Sequence, residues 1–421
     1  MSFAILVADP MASTLALLAL LWVAAKIGGE LAVRFKVPAV AGQLCIGLVL
    51  AALPKYFPSF PSVSDSTEAS AIAYIGVVIL MFVVGLESSI SQMLKVGWAS
   101  LRVATVGVVA PMICGLLVAY WLLPASTLAE DLFIGACLSV TSLSISIQVL
   151  RERGVSKSQS GKVIIGASII DDILGLLVLA AVSGIAVASS VKVASDGSGG
   201  ALWGQLGKAL GMTMLFLVFA LAVGQWVSPR IFKIASRFRS EELLLPLVLA
   251  FAFAMAYLGN LVGLATIVGA CAAGLVLEHT HMVFLQERET HNLDDMLHPL
   301  VMTFAPLFFV LTGASIDVSA LAQPSTLLLA GALTVAGIAG KYVCGYVAGS
   351  GLSVPVIGWG MVPRGEVGLI FVAVGRDIQI NGKPFLSPEI QAGILGAILL
   401  TTILGPIGLA WVVGRAKGAV K

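Results

Sequence analysis

Long apolar runs, each interrupted by a short polar stretch, recur along the whole chain and set its secondary structure. Runs of about 18 residues or more with few charges read as membrane-crossing helices. Thirteen are predicted, at 12–35, 38–53, 70–87, 97–123, 129–150, 160–189, 203–228, 241–261, 263–279, 295–313, 325–351, 355–379 and 388–415. The period-two alternation that a transmembrane barrel requires is missing from these runs. The predicted class is an all-α, multi-pass membrane protein, a single membrane domain over 1–421, with no soluble domain expected after the last span. The opening stretch MSFAILVADP carries no lysine or arginine, so it does not read as a secretory leader, and the first span is expected to stay in the mature protein.

Composition agrees with this pattern. The chain is 59% hydrophobic and 11% charged, with a mean hydropathy of +1.04. A net charge of +2 gives no footprint for a nucleic-acid partner. The basic residues act instead as topology signals. Arg34, Lys36, Lys95, Arg102, Arg151, Arg153, Lys157, Lys162, Arg230 and Arg415 fall on one side, whereas Lys55, Lys192, Arg376 and Lys383 fall on the other. The positive-inside bias then predicts the N-terminus outside and the C-terminus inside.

Two stretches echo each other. Gly42-QLCI-Gly47-LVL and Gly269-ACAA-Gly274-LVL share one pattern, and each is followed by a similar run, LMFVVGLESSI and LFFVLTGASID. The copies start in the second and ninth spans, an odd number of crossings apart, which predicts inverted-topology repeats. Such repeats are a transporter signature, with the site expected near mid-bilayer. By the same offset the span at 129–150 mirrors the span at 355–379, and both break their own hydropathy. The first contains VTSLSISIQ, with Thr141, Ser142, Ser144 and Ser146; the second contains GWGMVPRGEVGL, with Pro363 and Gly365 around two charges. Proline removes a backbone donor and glycine weakens a helix. Freed backbone groups at that depth must line a cavity or be buried in protein. Two discontinuous helices, crossing near the midplane, are expected.

Charge at that depth is costly, so each instance carries information. The run SGKVIIGASIIDDILGLLVLAAVSGIAV holds Asp171 and Asp172 at its middle, and a carboxylate there costs roughly 2.5–3.5 kcal/mol on insertion scales. Carriage of an ion or a proton is the economical explanation. Neighbours on a helix point about 100° apart, so one carboxylate can face a fixed cation, for which Lys341 is the candidate, while the other faces a cavity. Arg364 and Glu366 are expected to tie down the second broken helix. Carboxylate, hydroxyl and carbonyl oxygens suit a hard monovalent cation better than a transition metal. The five cysteines stand singly in apolar runs and read as packing. His279, His281, His291 and His298 crowd one polar loop, read as solvated. There is no phosphate-binding Gly-x-x-x-x-Gly-Lys-Ser loop and no nucleophile–base pair, so neither ATP-driven transport nor an enzyme is expected.

With these residues in view, the chain resembles a bacterial cation:proton antiporter of the monovalent cation/proton antiporter superfamily, of the NapA/NhaA type. The likeness runs from about Val37 to Arg415 and is carried by IIDDILGLL, VTSLSISIQVL, GLATIVGACAAGLVLE, Lys341 in AGKYVCG, and MVPRGEVGLI. The resemblance implies an NhaA-like fold with a core bundle at 97–190 and 325–415. A dimerising scaffold would form from 12–87 and 241–313, with 203–228 as the linking helix. It implies that Asp172 carries the ion and the proton and that Asp171 pairs with Lys341. Thr141 and Ser142 would help ligate Na⁺, and Arg364 and Glu366 would match the family's charged pair. The implied activity is exchange of cytoplasmic Na⁺ or Li⁺ for external H⁺. It would be electrogenic, without a cofactor, in a homodimer of the bacterial inner membrane. K⁺/H⁺ exchange on the same fold, an uncoupled cation channel or sensor, and an organic-anion carrier are the alternatives; the paired aspartates argue against the last.

Overall fold

The computed structural model describes residues 10–35, 37–57, 63, 66–87, 97–190, 244–262, 264–284, 293–380 and 383–418, with isolated positions between 211 and 230. Among them eight helices are long and apolar enough to cross a membrane. Five of the predicted spans stand outside that group. Those at 129–150 and 355–379 are split into halves, those at 241–261 and 263–279 form shorter apolar helices, and 203–228 lies largely outside the described residues. The expected linker at 203–228 and the side chains of His279, His281 and His291 also lie outside them; His298 is exposed.

The helices sort into two groups by what they touch. In the first, α1 (Pro10–Arg34), α2 (Ala39–Tyr56) and α3 (Thr67–Glu87) pack with α8 (Leu244–Leu261), α9 (Thr266–Phe284) and α10 (Leu293–Ala314). The second begins with α4 (Trp98–Leu122), α5 (Leu128–Cys137), α6 (Leu143–Glu152) and α7 (Gln159–Ser190). After the single turn α11 (Val318–Leu321), it continues with α12 (Pro324–Val343), α13 (Val354–Gly360), α14 (Glu366–Asp377) and α15 (Pro388–Gly418). A two-stranded hairpin, β1 (Gln379–Ile380) with β2 (Lys383–Pro384), follows α14. Local chemistry marks the boundaries: Thr127 and Glu130 close a capping box at the start of α5, and Pro324 opens α12 where its missing N–H costs nothing.

Glycines of the echoed motifs join the first group reciprocally. Gly47 of α2 meets α10, where an added Cβ would come 2.1 Å from the Val310 carbonyl, and Gly313 of α10 meets Leu44 at 2.2 Å. Gly274 of α9 likewise meets the Phe82 carbonyl at 2.1 Å, and Gly85 of α3 meets Cys271 at 2.1 Å. Each echoed helix therefore packs on the partner helix of the other unit, backbone against backbone. Gly274→Ala is expected to push α9 off α3 and to destabilise by about 1–3 kcal/mol, the usual cost of overpacking. Gly331→Ala, where nothing lies within 4 Å of the new methyl, serves as the neutral control in the same detergent-melting experiment.

Candidate ion-binding site

The split helices meet in the second group. The α5 helix stops at Cys137 and α6 restarts at Leu143; α13 stops at Gly360 and α14 restarts at Glu366. Each break leaves helix-end groups without intrahelical partners, and the two breaks satisfy one another. The Ser142 N–H donates to the Pro363 carbonyl at 2.8 Å, Thr141 Oγ1 to Met361 O at 3.1 Å, and Ser146 Oγ to Gly360 O at 2.7 Å. Gly365 is required for close approach rather than for its backbone angles, since a Cβ there would sit 2.6 Å from Ser142 Oγ. Hydroxyls in one half thus serve the carbonyls of the other, which is why a Ser/Thr cluster in an apolar run pairs with a Pro/Gly cluster far along the chain.

Arg364 occupies the centre of this crossing, 1% exposed. Its guanidinium donates to the carbonyls of Leu138 and of Val140, the latter at 3.0 Å, and to Gly337 O at 3.4 Å. Those first carbonyls lie at the C-terminal end of α5, where a cation offsets the negative pole of the helix. The Arg364 carbonyl in turn accepts from Thr402 Oγ1 of α15 at 2.7 Å. Thr402 was not singled out from the sequence, although the adjacent polar pair Thr401-Thr402 inside an apolar span was a readable sign. Arg364 and Glu366 form no ion pair with each other; among the described residues the guanidinium is spent on carbonyls.

The two aspartates, adjacent on α7, sit in different surroundings. Asp171 is fully buried, accepts the Thr141 N–H at 2.8 Å, and takes Lys341 Nζ on both oxygens at 3.0 and 3.1 Å. Lys341, on α12, is itself fully buried. Asp172 is only partly buried and has no hydrogen-bond or ion-pair partner among the described residues. Asp171, Glu366, Lys341 and Glu87 are near enough to act on its charge. One carboxylate is therefore neutralised and held, while the other is unpaired and partly exposed. Thr141 and Ser142 stand at the break beside them, with Ser142 Oγ 3.0 Å from Ser144 Oγ and 3.4 Å from Glu366. This set offers oxygen ligands only, including two carboxylates, Asp172 and Glu366, without a cation partner among the described residues, the chemistry of a hard cation.

A cavity of about 390 Å³ opens between the two helix groups near the far end of α7, lined in part by Tyr74, Ser183, Thr312, Ser315 and Arg376. The Ser183 hydroxyl is buried there without a hydrogen-bond partner. Asp172 does not line this cavity.

The profile of a family described as "Sodium/hydrogen exchanger, transmembrane" matches residues 16–415. This chain belongs to that family. It is a multi-pass membrane transporter and not an enzyme. Among curated relatives, the high-affinity Na⁺/H⁺ antiporter NhaS3 of Synechocystis is 32% identical, over 97% of this chain and 91% of its own length. A Na⁺/H⁺ antiporter of Enterococcus hirae is 31% identical, over 94% and 97% respectively. The Na⁺/H⁺-K⁺ antiporter GerN of Bacillus cereus is 28% identical, over 96% and 97%. Among solved structures, the sodium proton antiporter MjNhaP1 from Methanocaldococcus jannaschii superposes with a TM-score of 0.67 over 95% of this chain and 96% of its own, at 20% identity. The exchanger's fold is thus that of MjNhaP1, and the NhaA likeness holds at the level of the wider superfamily.

Proposed function

We propose that this chain exchanges cytoplasmic Na⁺, or Li⁺, for external H⁺ at Asp172. The unpaired carboxylate of Asp172, beside the closed Asp171–Lys341 pair and the crossing of two broken helices, is the observation that carries this reading. The relatives' names support sodium as a cation and H⁺ as its counter-ion.

Na⁺ and H⁺ compete for the same carboxylate, so the two fluxes are coupled without a separate gate. Thr141 and Ser142 supply further oxygens to the ion. Sodium loading also loosens the Asp171–Lys341 pair, which releases a second proton-carrying group. With two such groups per cation each turnover moves net charge, so the membrane potential assists export. Broken-helix cores of this kind serve alternating access in inverted-repeat transporters. The segments 97–190 and 325–415 form the moving core, and 12–87 with 241–313 form a dimerising scaffold. The 203–228 helix links them. The bias of the basic residues supports an orientation with the 153–158 turn and the C-terminus in the cytoplasm and the N-terminus outside; the membrane of this reading is the bacterial inner membrane. The cavity beside Ser183 is then the external vestibule, and the reciprocal glycine contacts support inverted repeats.

The test is uphill flux in proteoliposomes with Na⁺, Li⁺ and K⁺ supplied separately under a clamped potential. An imposed pH gradient is expected to drive Na⁺ and Li⁺ against their concentration gradients, at a rate that changes with voltage. Movement of K⁺ alone would replace this reading with K⁺/H⁺ exchange. Cation movement that never runs uphill would replace it with a channel.

A further inference from the structure

Glu366 is the one charge of the crossing that the reading above leaves unused. It opens α14, and among the described residues no lysine, arginine or histidine lies within ion-pair distance of it. Arg364, two positions earlier, is turned into the carbonyls of Leu138, Val140 and Gly337 and does not neutralise it. The two oxygens of Glu366 face separate hydroxyls, Ser142 Oγ and Ser144 Oγ, each at 3.4 Å. Both contacts are longer than ordinary O–H···O bonds, so either hydroxyl can turn a lone pair toward a cation instead.

An independent observation concerns α6. Ser144, Gln148 and Glu152, spaced four apart, are exposed, while Ile145, Ser146, Val149 and Leu150 between them are buried. Gln148 Nε2 donates to Glu152 at 3.0 Å. An exposed stripe on a helix of a membrane span carries apolar groups where it meets acyl chains and polar groups where it meets water. This stripe is polar over its whole length and runs from the 153–158 turn to the crossing. At the crossing its inner end, Ser144, meets Glu366.

The geometry points to a staging subsite for the transported alkali cation, built from Glu366 and the hydroxyls of Ser142 and Ser144, entered along α6 from the 153–158 side and emptied onto Asp172. It rests on the exchange reading and deepens it by naming the residues that first strip water from the ion. A carboxylate and two hydroxyls replace part of the hydration shell before the ion reaches Asp172. The ion therefore does not enter the crossing bare. The plainer role for Glu366 is an acid in the first turn of a helix, favourable to the α14 dipole. That role alters stability but has no sidedness.

Sidedness is therefore the measurement. In proteoliposomes sorted by orientation, the apparent KM for Na⁺ is measured with Na⁺ added at each face. Glu366→Gln is expected to raise KM about fivefold or more at the 153–158 face and by less than about twofold at the opposite face, with Ser144→Ala shifting the same face by about two- to threefold. Glu366→Asp is expected to recover part of the loss. An unchanged KM at the 153–158 face overturns the subsite. So does an equal rise at both faces accompanied by a lower melting temperature. Should Glu366→Gln fail to insert, Ser144→Ala and Glu366→Asp carry the same face-specific comparison. Asp172→Asn tests the exchange reading separately, so loss of flux there with unchanged kinetics in Glu366→Gln counts against the subsite alone.

Discussion

Asp172→Asn is expected to abolish sodium-dependent proton flux at every pH while leaving the melting temperature of the purified protein nearly unchanged. The two halves of this expectation have separate physical grounds. Asparagine has the size of aspartate but neither binds a proton in this range nor supplies a negative charge, so both competitors lose their seat. Stability is preserved because Asp172 has no hydrogen bond or ion pair to lose among the described residues. It even sheds a charge from a span where charge is costly. Flux measured with a pH-sensitive dye in proteoliposomes, alongside thermal unfolding in detergent, checks both halves. Retained sodium-dependent proton movement would remove Asp172 from its role.

Lys341→Gln is expected to act in the opposite manner, striking stability first. The Nζ reaches both oxygens of Asp171 in a fully buried pair. Removing one partner of such a pair leaves the other charge uncompensated, typically at about 3–5 kcal/mol. The melting temperature therefore falls, and any transport that survives loses its response to an imposed potential, because one of the two proton-carrying groups has gone. Adding Asp171→Asn to Lys341→Gln neutralises the stranded carboxylate and is expected to restore most of the melting temperature without restoring the voltage response. A double variant that remains as unstable as the single one would mean that Lys341 supports the fold by packing. A voltage response that survives in both would confine the pair to structure.

How much of this was legible in the residues varies from place to place. The Asp171-Asp172 pair was conspicuous because carboxylates stand out in an apolar run, and the helical offset between neighbours already allowed them different surroundings. Lys341 stood out for the same reason. The breaks at 138–142 and 361–365 were visible as hydroxyl and Pro/Gly clusters. The bonds across them were not, since Thr141 and Ser146 donate to carbonyls, which every residue carries. The destination of the Arg364 guanidinium was hidden likewise: two residues from Glu366 in sequence, it turns to the end of another half-helix. The polar stripe of Ser144, Gln148 and Glu152 has a helical period, but only the exposure of that face, against the burial of Ser146, separates an aqueous wall from hydroxyls bonded to backbone. Hydropathy could not show where helices are short or split, because window averages carry no information about where backbone hydrogen bonds stop.

The glycine contacts of the first helix group set a mechanical boundary. At Gly47, Gly85, Gly274 and Gly313 one backbone rests on another, so those joints hold no rotamers that could rearrange to absorb travel. The seam between α7 and α9 is made differently, with Leu176 against Cys271 and Leu275. Side-chain surfaces of that kind can slip a notch and find new partners at similar energy. Under the proposed exchange, any displacement of Asp172 relative to the bilayer is taken up at that seam, with the glycine-fused helices as the rail and α7 as the carriage.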